Sequence, residues 1–225
     1  MLELLDNIVW HSLAGPHRRF AEGDDRVLRY QGDVTSLVGF PVPESPDFDA
    51  LRPYCRSSER LYCLGWQGAM PRGWNLEVET TIVKMAWDAA MPKGGAAVEP
   101  VRLDATHVAD AQALAAATNP GPFGSRTIEM GEYFGYLFEG RLVAMAGERM
   151  QAGNLHEVSA VCVHPEYQGK GLAREIMFHV IRRQLHRGET PFLHVLKHNE
   201  RAVRMYERMG FRIHREMPVR VVSLA

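Results

Sequence analysis

The chain has 225 residues, of which 46% are hydrophobic and 24% charged, ordinary globular usage that excludes a mostly disordered chain. Its apolar runs are short and broken by charge, well under the roughly 20 residues of a membrane-spanning helix, so an integral membrane protein is excluded as well. The formal net charge is −1, and the three cysteines (Cys55, Cys63, Cys162) include no Cys-x-x-Cys pair, so neither a disulfide framework nor structural zinc is expected. Residues 1–10 carry Glu3 and Asp6 and no basic run, unlike a secretory leader, and the expected compartment is the cytoplasm.

In chain order, Arg26–Tyr30, Leu61–Gly65 and Leu76–Met85 are predicted as short strands, and Asp49–Cys55 as a helical turn. Pro41, Pro43, Pro46 and Pro53 break the stretch between the first two strands. A Pro/Gly-rich break at 91–97 separates this half from the next. Residues 1–95 are therefore expected as a smaller N-terminal α/β region, with a degenerate duplicate of the second half as the open alternative. Residues 96–225 form the main domain. There Val98–Leu103 is a predicted strand, and Thr106 opens a helix through Val108, Ala111, Leu114 and Ala115, which share one face. The prolines and glycines of 119–125 force a loop. Tyr133–Phe138 and Leu142–Met150 form a hairpin, and Glu157–Val163 reads as a central strand stopped by Pro165. Gly171–Arg187 is the strongest helix, with an apolar stripe at Leu172, Ile176, Val180 and Ile181. Phe192–Leu196 is a buried strand, Asn199–Met209 a second helix closed by Gly210, and Phe211–His214 and Val219–Leu224 the final strands.

Charge is uneven along the chain. Residues 170–225 hold twelve Lys/Arg against five Asp/Glu, a surplus of seven positive charges. A polyphosphate ligand, a nucleic acid or a solvated helix face would each account for it. No interleaved aromatic platform for stacking bases accompanies the basic helices, so nucleic acid is not expected as a partner.

The segment Val161-Cys-Val-His-Pro-Glu-Tyr-Gln-Gly-Lys-Gly-Leu-Ala runs a buried strand through a glycine-bearing loop into an amphipathic helix. That order points free backbone N–H groups and the positive end of a helix dipole at one spot, which suits a pyrophosphate, although a tight strand–helix turn would also use these glycines. A Walker loop does not fit, because Lys170 lies between glycines and no Ser/Thr follows it. A dinucleotide fingerprint does not fit either, because Arg174 stands where its third, small residue belongs.

The spacing that fits is Gln/Arg-x-x-Gly-x-Gly/Ala, at Gln168, Gly171 and Ala173, which resembles the acyl-CoA loop of the GNAT N-acetyltransferase superfamily. About 30 residues later Asn199, Ala202, Tyr206, Gly210 and Phe211 resemble that family's second motif, Asn-x-x-Ala-x-x-x-Tyr-x-x-x-Gly-Phe. The resemblance covers roughly residues 98–225 and is nearest to the glycine N-acyltransferase-like branch. It implies the acyl-CoA N-acyltransferase fold, a mixed, splayed β-sheet flanked by helices in the α/β (α+β) class. Acyl-CoA would enter between two parallel strands, here Glu157–Val163 and Phe192–Leu196.

The implied activity is acetyl transfer from acetyl-CoA to a primary amine of a small or amino-acid-like acceptor, with no metal. An acyl-CoA-binding sensor or interaction module without turnover is the alternative. The resemblance places the pyrophosphate on Gln168, Gly169, Lys170, Gly171, Leu172 and Ala173, the pantetheine arm on the backbone of Val161, Cys162 and Val163, and a further contact at Asn199, which would also serve as a helix cap. An alkyl amine has a pKa of about 10.4 and must lose a proton before it attacks. Glu157 is the candidate general base, at the place where several members keep a catalytic glutamate; a carboxylate at the solvated strand end is the plainer alternative. Tyr206 is the candidate general acid for the leaving thiolate, or else a core aromatic. Phe123 and Arg126 would wall the acceptor pocket, and Glu148 and Ser159 would position amine or water; each also reads as an ordinary loop or strand residue. His156, His164, His194 and His198 lack ligand spacing and are read as packing or loop residues. Cys162 is placed on the strand face opposite Glu157. The expected partners are acetyl-CoA and an amine, with no membrane or nucleic acid, and the expected state is a monomer or homodimer.

Overall fold

The computed structural model describes residues 2–93 and 98–225, so Gly94–Ala97, within the break expected at 91–97, lie outside the described residues. The chain opens with two short helices, α1 (Glu3–Asp6) and α2 (Ile8–Ala14), which the sequence reading did not anticipate. Ile8, Val9 and Leu13 recur on one face of α2 and are buried, so this segment is held by packing rather than by length. Three short strands follow, β1 (Ala21–Gly23), β2 (Leu28–Tyr30) and β3 (Leu37–Gly39). Helix α3 (Phe48–Leu51) is capped by Asp47, whose carboxylate accepts from the Ala50 N–H. Next come β4 (Leu61–Leu64) and the long β5 (Trp74–Trp87).

After the break, β6 (Val101–Leu103) leads to α4 (Val108–Thr118), which Asn119 ends in a left-handed conformation. The hairpin strands are β7 (Tyr133–Phe138) and β8 (Arg141–Ala152), followed by β9 (Leu155–Val163), α5 (Leu172–His186), β10 (Thr190–Leu196) and α6 (Glu200–Met209). The last strand, β11 (Phe211–Leu224), is continuous. The two final strands expected from the sequence are one, because β11 pairs along nearly its whole length with β5 and absorbs the interruption as a bulge between Ile213 and Arg215.

All the strands belong to a single mixed sheet in the order β1-β2-β3-β4-β11-β5-β10-β9-β8-β7-β6. β5, from the first half of the sequence, lies between β10 and β11 from the second and is antiparallel to both. The division expected near residue 95 therefore falls in a connection within one sheet, and the second half has no continuous sheet without β5. Ile176, Met177, Val180 and Ile181 of α5, all buried, pack on one face with Val158, Leu193, Val195 and Phe211. On the other face α2 packs over Phe192, Leu155 and Met150, and α4 over Met145, Ala160 and Cys162.

Lys84 ties the N-terminal helices to the sheet. Its side chain is buried in β5, and Nζ donates to the carbonyls of Leu5 (2.5 Å) and Asp6 (3.0 Å). Burial lowers its pKa from 10.5 to about 8, against a smaller opposing pull from Asp6. Between those values the unfolded chain binds a proton that the folded chain has released, so this lysine's contribution to stability rises with pH across that window. The stability difference between the wild type and Lys84→Met should accordingly shift in favour of the wild type between pH 8 and 10.5, by on the order of 3 kcal/mol. Urea unfolding of both proteins at several pH values measures it, and a difference that stays flat across this range would contradict the assignment.

Candidate active site

The site begins where two parallel strands separate. β9 and β10 pair only through Leu155–Glu157 and Thr190–Phe192. Beyond those residues β10 stays with β5 and β9 stays with β8, so a gap opens between them. Inside the diverging stretch β9 carries a bulge: Met145 pairs Cys162 and Gly147 pairs Ser159, leaving one extra residue on β9. Ala160 takes it up at φ +51°, a conformation costly for any residue with a Cβ. The bulge resets the alternation of β9. Val158, Val161 and Val163 face α5, while Ala160 and Cys162 face α4, the side on which Glu157 and Ser159 also lie. Simple alternation from Glu157 had put Cys162 on the opposite face; the extra residue corrects that placement.

Past Val163 the chain makes a turn at Pro165–Tyr167 and enters the glycine loop. Gly169 and Gly171 adopt φ +78° and +83°, and a Cβ added at either would meet nothing within 4 Å. Backbone conformation, not crowding, demands these glycines, and the space above them is open. Gly171 is the N-cap of α5 and no side chain caps this end, so the amides of Leu172 and Ala173 face outward at the positive end of the helix dipole. Gln168 turns back, its Nε2 donating to the Val163 carbonyl at 3.3 Å, and Lys170 lies 4.7 Å over the Tyr167 ring. This cradle fits the phosphates of an acyl-CoA: free amides, no side chain in the way, and an open gap between strands immediately upstream.

On the α5 side of the gap stands Tyr206, on α6, packed edge-on to Phe211 with ring centroids 6.1 Å apart. Burial, with a smaller effect from the Cys162 thiol, raises its pKa to about 12, so the phenol stays protonated and able to donate. Tyr206 packs on the same core as Val158 of β9 and Leu193 of β10. Asn199 caps α6, its Oδ1 accepting from the Ala202 N–H at 3.2 Å. Cys162 is buried and its thiol is pushed up to about 11, so only its backbone is available for chemistry near neutral pH.

On the other side lies a buried polar cluster. Glu157 is 1% exposed, and Arg149 grips it with two parallel bonds, Nε to Oε2 at 2.9 Å and Nη2 to Oε1 at 2.7 Å. The Met150 N–H donates to Oε2 at 3.3 Å, and His194 Nδ1 lies 2.7 Å from Oε1. Burial alone would raise the Glu157 pKa, but the charge of Arg149 and the bonds from Arg149 and His194 outweigh it and hold the carboxyl well below the usual carboxylate range. Arg149 and Ser159 also line a shallow recess with Pro120, Pro122, Phe123 and Tyr133, so Phe123 and Ser159 sit together beside the cluster.

Two expected pocket residues point elsewhere. Arg126 is spent on Glu129, Asp33 and Gln31, strapping its loop to the N-terminal segment. Glu148 faces the end of α5, where Arg187 bonds it together with Glu132 and Glu189. Glu148, His156 and Glu189 could in principle surround a cation, but the Arg187 guanidinium already bridges the two carboxylates. The sequence reading missed Arg149 and set His194 aside as packing. The available signal was a charged or titratable residue inside an apolar strand, as in Pro191-Phe-Leu-His-Val.

A mixed sheet that parts between β9 and β10 and is flanked by helices is the acyl-CoA N-acyltransferase fold. The model of the Acetyltransferase (GNAT) family matches residues 110–211. A GNAT-family protein of known structure from Novosphingobium aromaticivorans DSM 12444 is 34% identical, with 98% of each chain covered and a TM-score of 0.91. The chain thus belongs to the GNAT acetyltransferase family. Two more distant structures share the fold: a GCN5-related N-acetyltransferase from Kribbella flavida (14% identity, TM-score 0.67, covering 100% of this chain and 95% of that one) and a GCN5-related N-acetyltransferase-like protein from Streptococcus suis 89/1591 (14%, 0.61, 97% and 92%). Among curated proteins none matches. Among the described residues, no helix is long and apolar enough to cross a membrane.

The buried pair has a direct stability consequence. Arg149→Met strands Glu157 with its charge largely uncompensated and should destabilise the protein by about 3–5 kcal/mol. Arg149→Met/Glu157→Met, which removes both charges, should recover most of that loss. Chemical unfolding of the single and double variants measures both; a double variant as unstable as the single one would show that the pair is not the cause.

Proposed function

We propose that the protein is an acetyl-CoA-dependent N-acetyltransferase acting on a primary amine of a small or amino-acid-like acceptor. The observation that carries this reading is the parting of β9 from β10, joined along β9 to an uncapped, glycine-lined helix N-terminus. The likeness of the C-terminal motifs to the glycine N-acyltransferase-like branch supports the acceptor class. When bound, acetyl-CoA supplies an activated thioester. Gln168, Gly169, Lys170, Gly171, Leu172 and Ala173 would hold its phosphates, chiefly by backbone N–H groups. The backbone of Val161, Cys162 and Val163, left without a partner strand on the β10 side, would pair with the pantetheine arm as an added strand would. Asn199, while capping α6, would flank the cofactor.

Tyr206 is proposed as the general acid. Its phenol is protonated, lies on the side of the gap nearest α5, and would donate to the sulfur as the thiolate leaves. Phe123 and Ser159 would meet the acceptor in the recess. Arg126 and Glu148 are given supporting rather than contacting roles, because their charges are already committed to other partners. Glu157 enters the proposal as an ionised anchor. Its oxygens are fully engaged, so it orients the groups around it and is a poor acceptor for a further proton.

Titration calorimetry with acetyl-CoA, with ATP and NAD as controls, is the primary test, followed by thiol release from acetyl-CoA across a panel of amines. One-site binding to acetyl-CoA alone and turnover with at least one amine are expected. Tyr206→Phe should lower kcat by about 10²-fold with the Kd for acetyl-CoA within about twofold. Gly171→Val should instead weaken binding by about tenfold or more, because φ +83° is strained for valine. Binding without turnover on any amine would favour a sensor, and no binding by a folded sample would remove the reading altogether.

A further inference from the structure

We propose that His194 Nε2 is the general base of the transfer, with Glu157 as its positioning residue and Arg149 as the counter-charge that fixes Glu157. This rests on the acetyltransferase reading above and goes beyond it by assigning the proton acceptor.

The first argument is place. Phe192 is the last residue of β10 paired with β9, opposite Glu157. His194 is two residues further on, so its side chain leaves the same sheet face just past the point where the strands part. Its ring meets the Phe192 ring edge-on, with centroids 5.7 Å apart, and is confined to that spot. Tyr206 packs into the core on the opposite sheet face, with Leu193 and Val195 of the same strand, so in this proposal acid and base act from the two sides of the sheet.

The second argument is wiring. An ionised carboxylate only accepts hydrogen bonds, so the 2.7 Å contact to Glu157 Oε1 requires the proton on His194 Nδ1. In the neutral ring the lone pair is then on Nε2. That nitrogen is buried and has no hydrogen-bond partner. Buried polar atoms are almost always satisfied, so the exception needs a reason. Among the described residues of β9 and β10, it is the only buried side-chain nitrogen or oxygen left without a partner. Glu157 and His194 thus divide the work as a carboxylate and imidazole do in a catalytic triad: one orients, the other accepts.

The third argument is the charge around the ring. Glu157 faces it from β9, Arg149 from β8 and Lys84 from β5, with Asp6 of α1 acting on Lys84. Burial is the largest influence and lowers the imidazole pKa, helped by Lys84 and Arg149; Glu157 opposes them without reversing the direction. The ring is therefore neutral at physiological pH.

In the step proposed, the acceptor binds as the neutral amine, its ammonium proton having gone to solvent; as its lone pair forms the C–N bond and the electrons of the C–S bond leave with sulfur, His194 Nε2 takes, directly or through one bridging water, the N–H proton that the nitrogen then sheds. Tyr206 gives sulfur its proton, and a proton returns from His194 to Tyr206 through solvent between turnovers.

His194→Asn tests this, because the Asn amide keeps a donor toward Glu157 and removes the acceptor at Nε2. The expected result is a fall in kcat of about 10²-fold or more, the Kd for acetyl-CoA within about twofold, and loss of the acidic limb of the pH–rate profile. A variant that retains kcat within about threefold overturns the proposal. A readout independent of turnover is the histidine ¹⁵N NMR spectrum of the wild type. His194 should show a protonated Nδ1 and an unprotonated Nε2 in its neutral form; a proton on Nε2 of the neutral ring overturns the proposal even if His194→Asn fails to fold. The two readings fail differently. A wild type that binds no acetyl-CoA ends the acetyltransferase reading and the base role with it, whereas an active His194→Asn removes only the base.

Discussion

The structure depends on one competition for backbone partners. β10 needs hydrogen bonds on both edges, and for three residues β9 supplies one of them. After Phe192 the long strand β5 continues on one edge of β10, while the other edge is released as β9 turns away with β8. A sheet that separates in its middle exposes unpaired peptide groups, normally a liability. Here those groups line the gap between β9 and β10. The bulge at Ala160 belongs to the same constraint: it rotates β9 out of register, sending the valines to the α5 core and returning Cys162 to the α4 side.

The Arg149–Glu157–His194 cluster lies where the two strands part. A buried carboxylate is tolerable only when paired, and the two-pronged Arg149 grip with the Met150 amide satisfies it. Such pairs are weak contributors to net stability and strong contributors to geometry. This one fixes the His194 imidazole where β9 and β10 part.

The N-terminal half, which carries no motif, has two structural tasks. β5 completes the sheet beside β10, so His194 stands on a central strand rather than an exposed edge. The helices α1 and α2 cover the sheet face that carries the cluster, held by Lys84 and by packing over Phe192 and Leu155. Arg126 adds a strap from the loop after α4 to Gln31 and Asp33. The neighbourhood of His194 is therefore built jointly by both halves.

What the sequence determined by itself was whatever rests on local spacing. The α5 stripe, the hairpin, the central strand and the helix closed by Gly210 follow from periodicity and punctuation, because each buries one face against whatever lies opposite. The glycine cradle was legible for the same reason: positive φ at Gly169 and Gly171 is a local demand. Tertiary structure alone decided the rest. Nothing local tells β5 to enter the sheet between β10 and β11, or joins Phe211–His214 to Val219–Leu224 as one strand; long-range pairing with β5 does both. Nothing local marks the bulge that reverses the facing of Cys162. Arg149, Glu157 and His194 lie on three strands, and their joint meaning exists only where those strands meet. In sequence Glu157 is a lone carboxylate and His194 a lone histidine; a 2.7 Å contact, the Arg149 fork and the exclusion of water turn them into a charge anchor and an oriented imidazole.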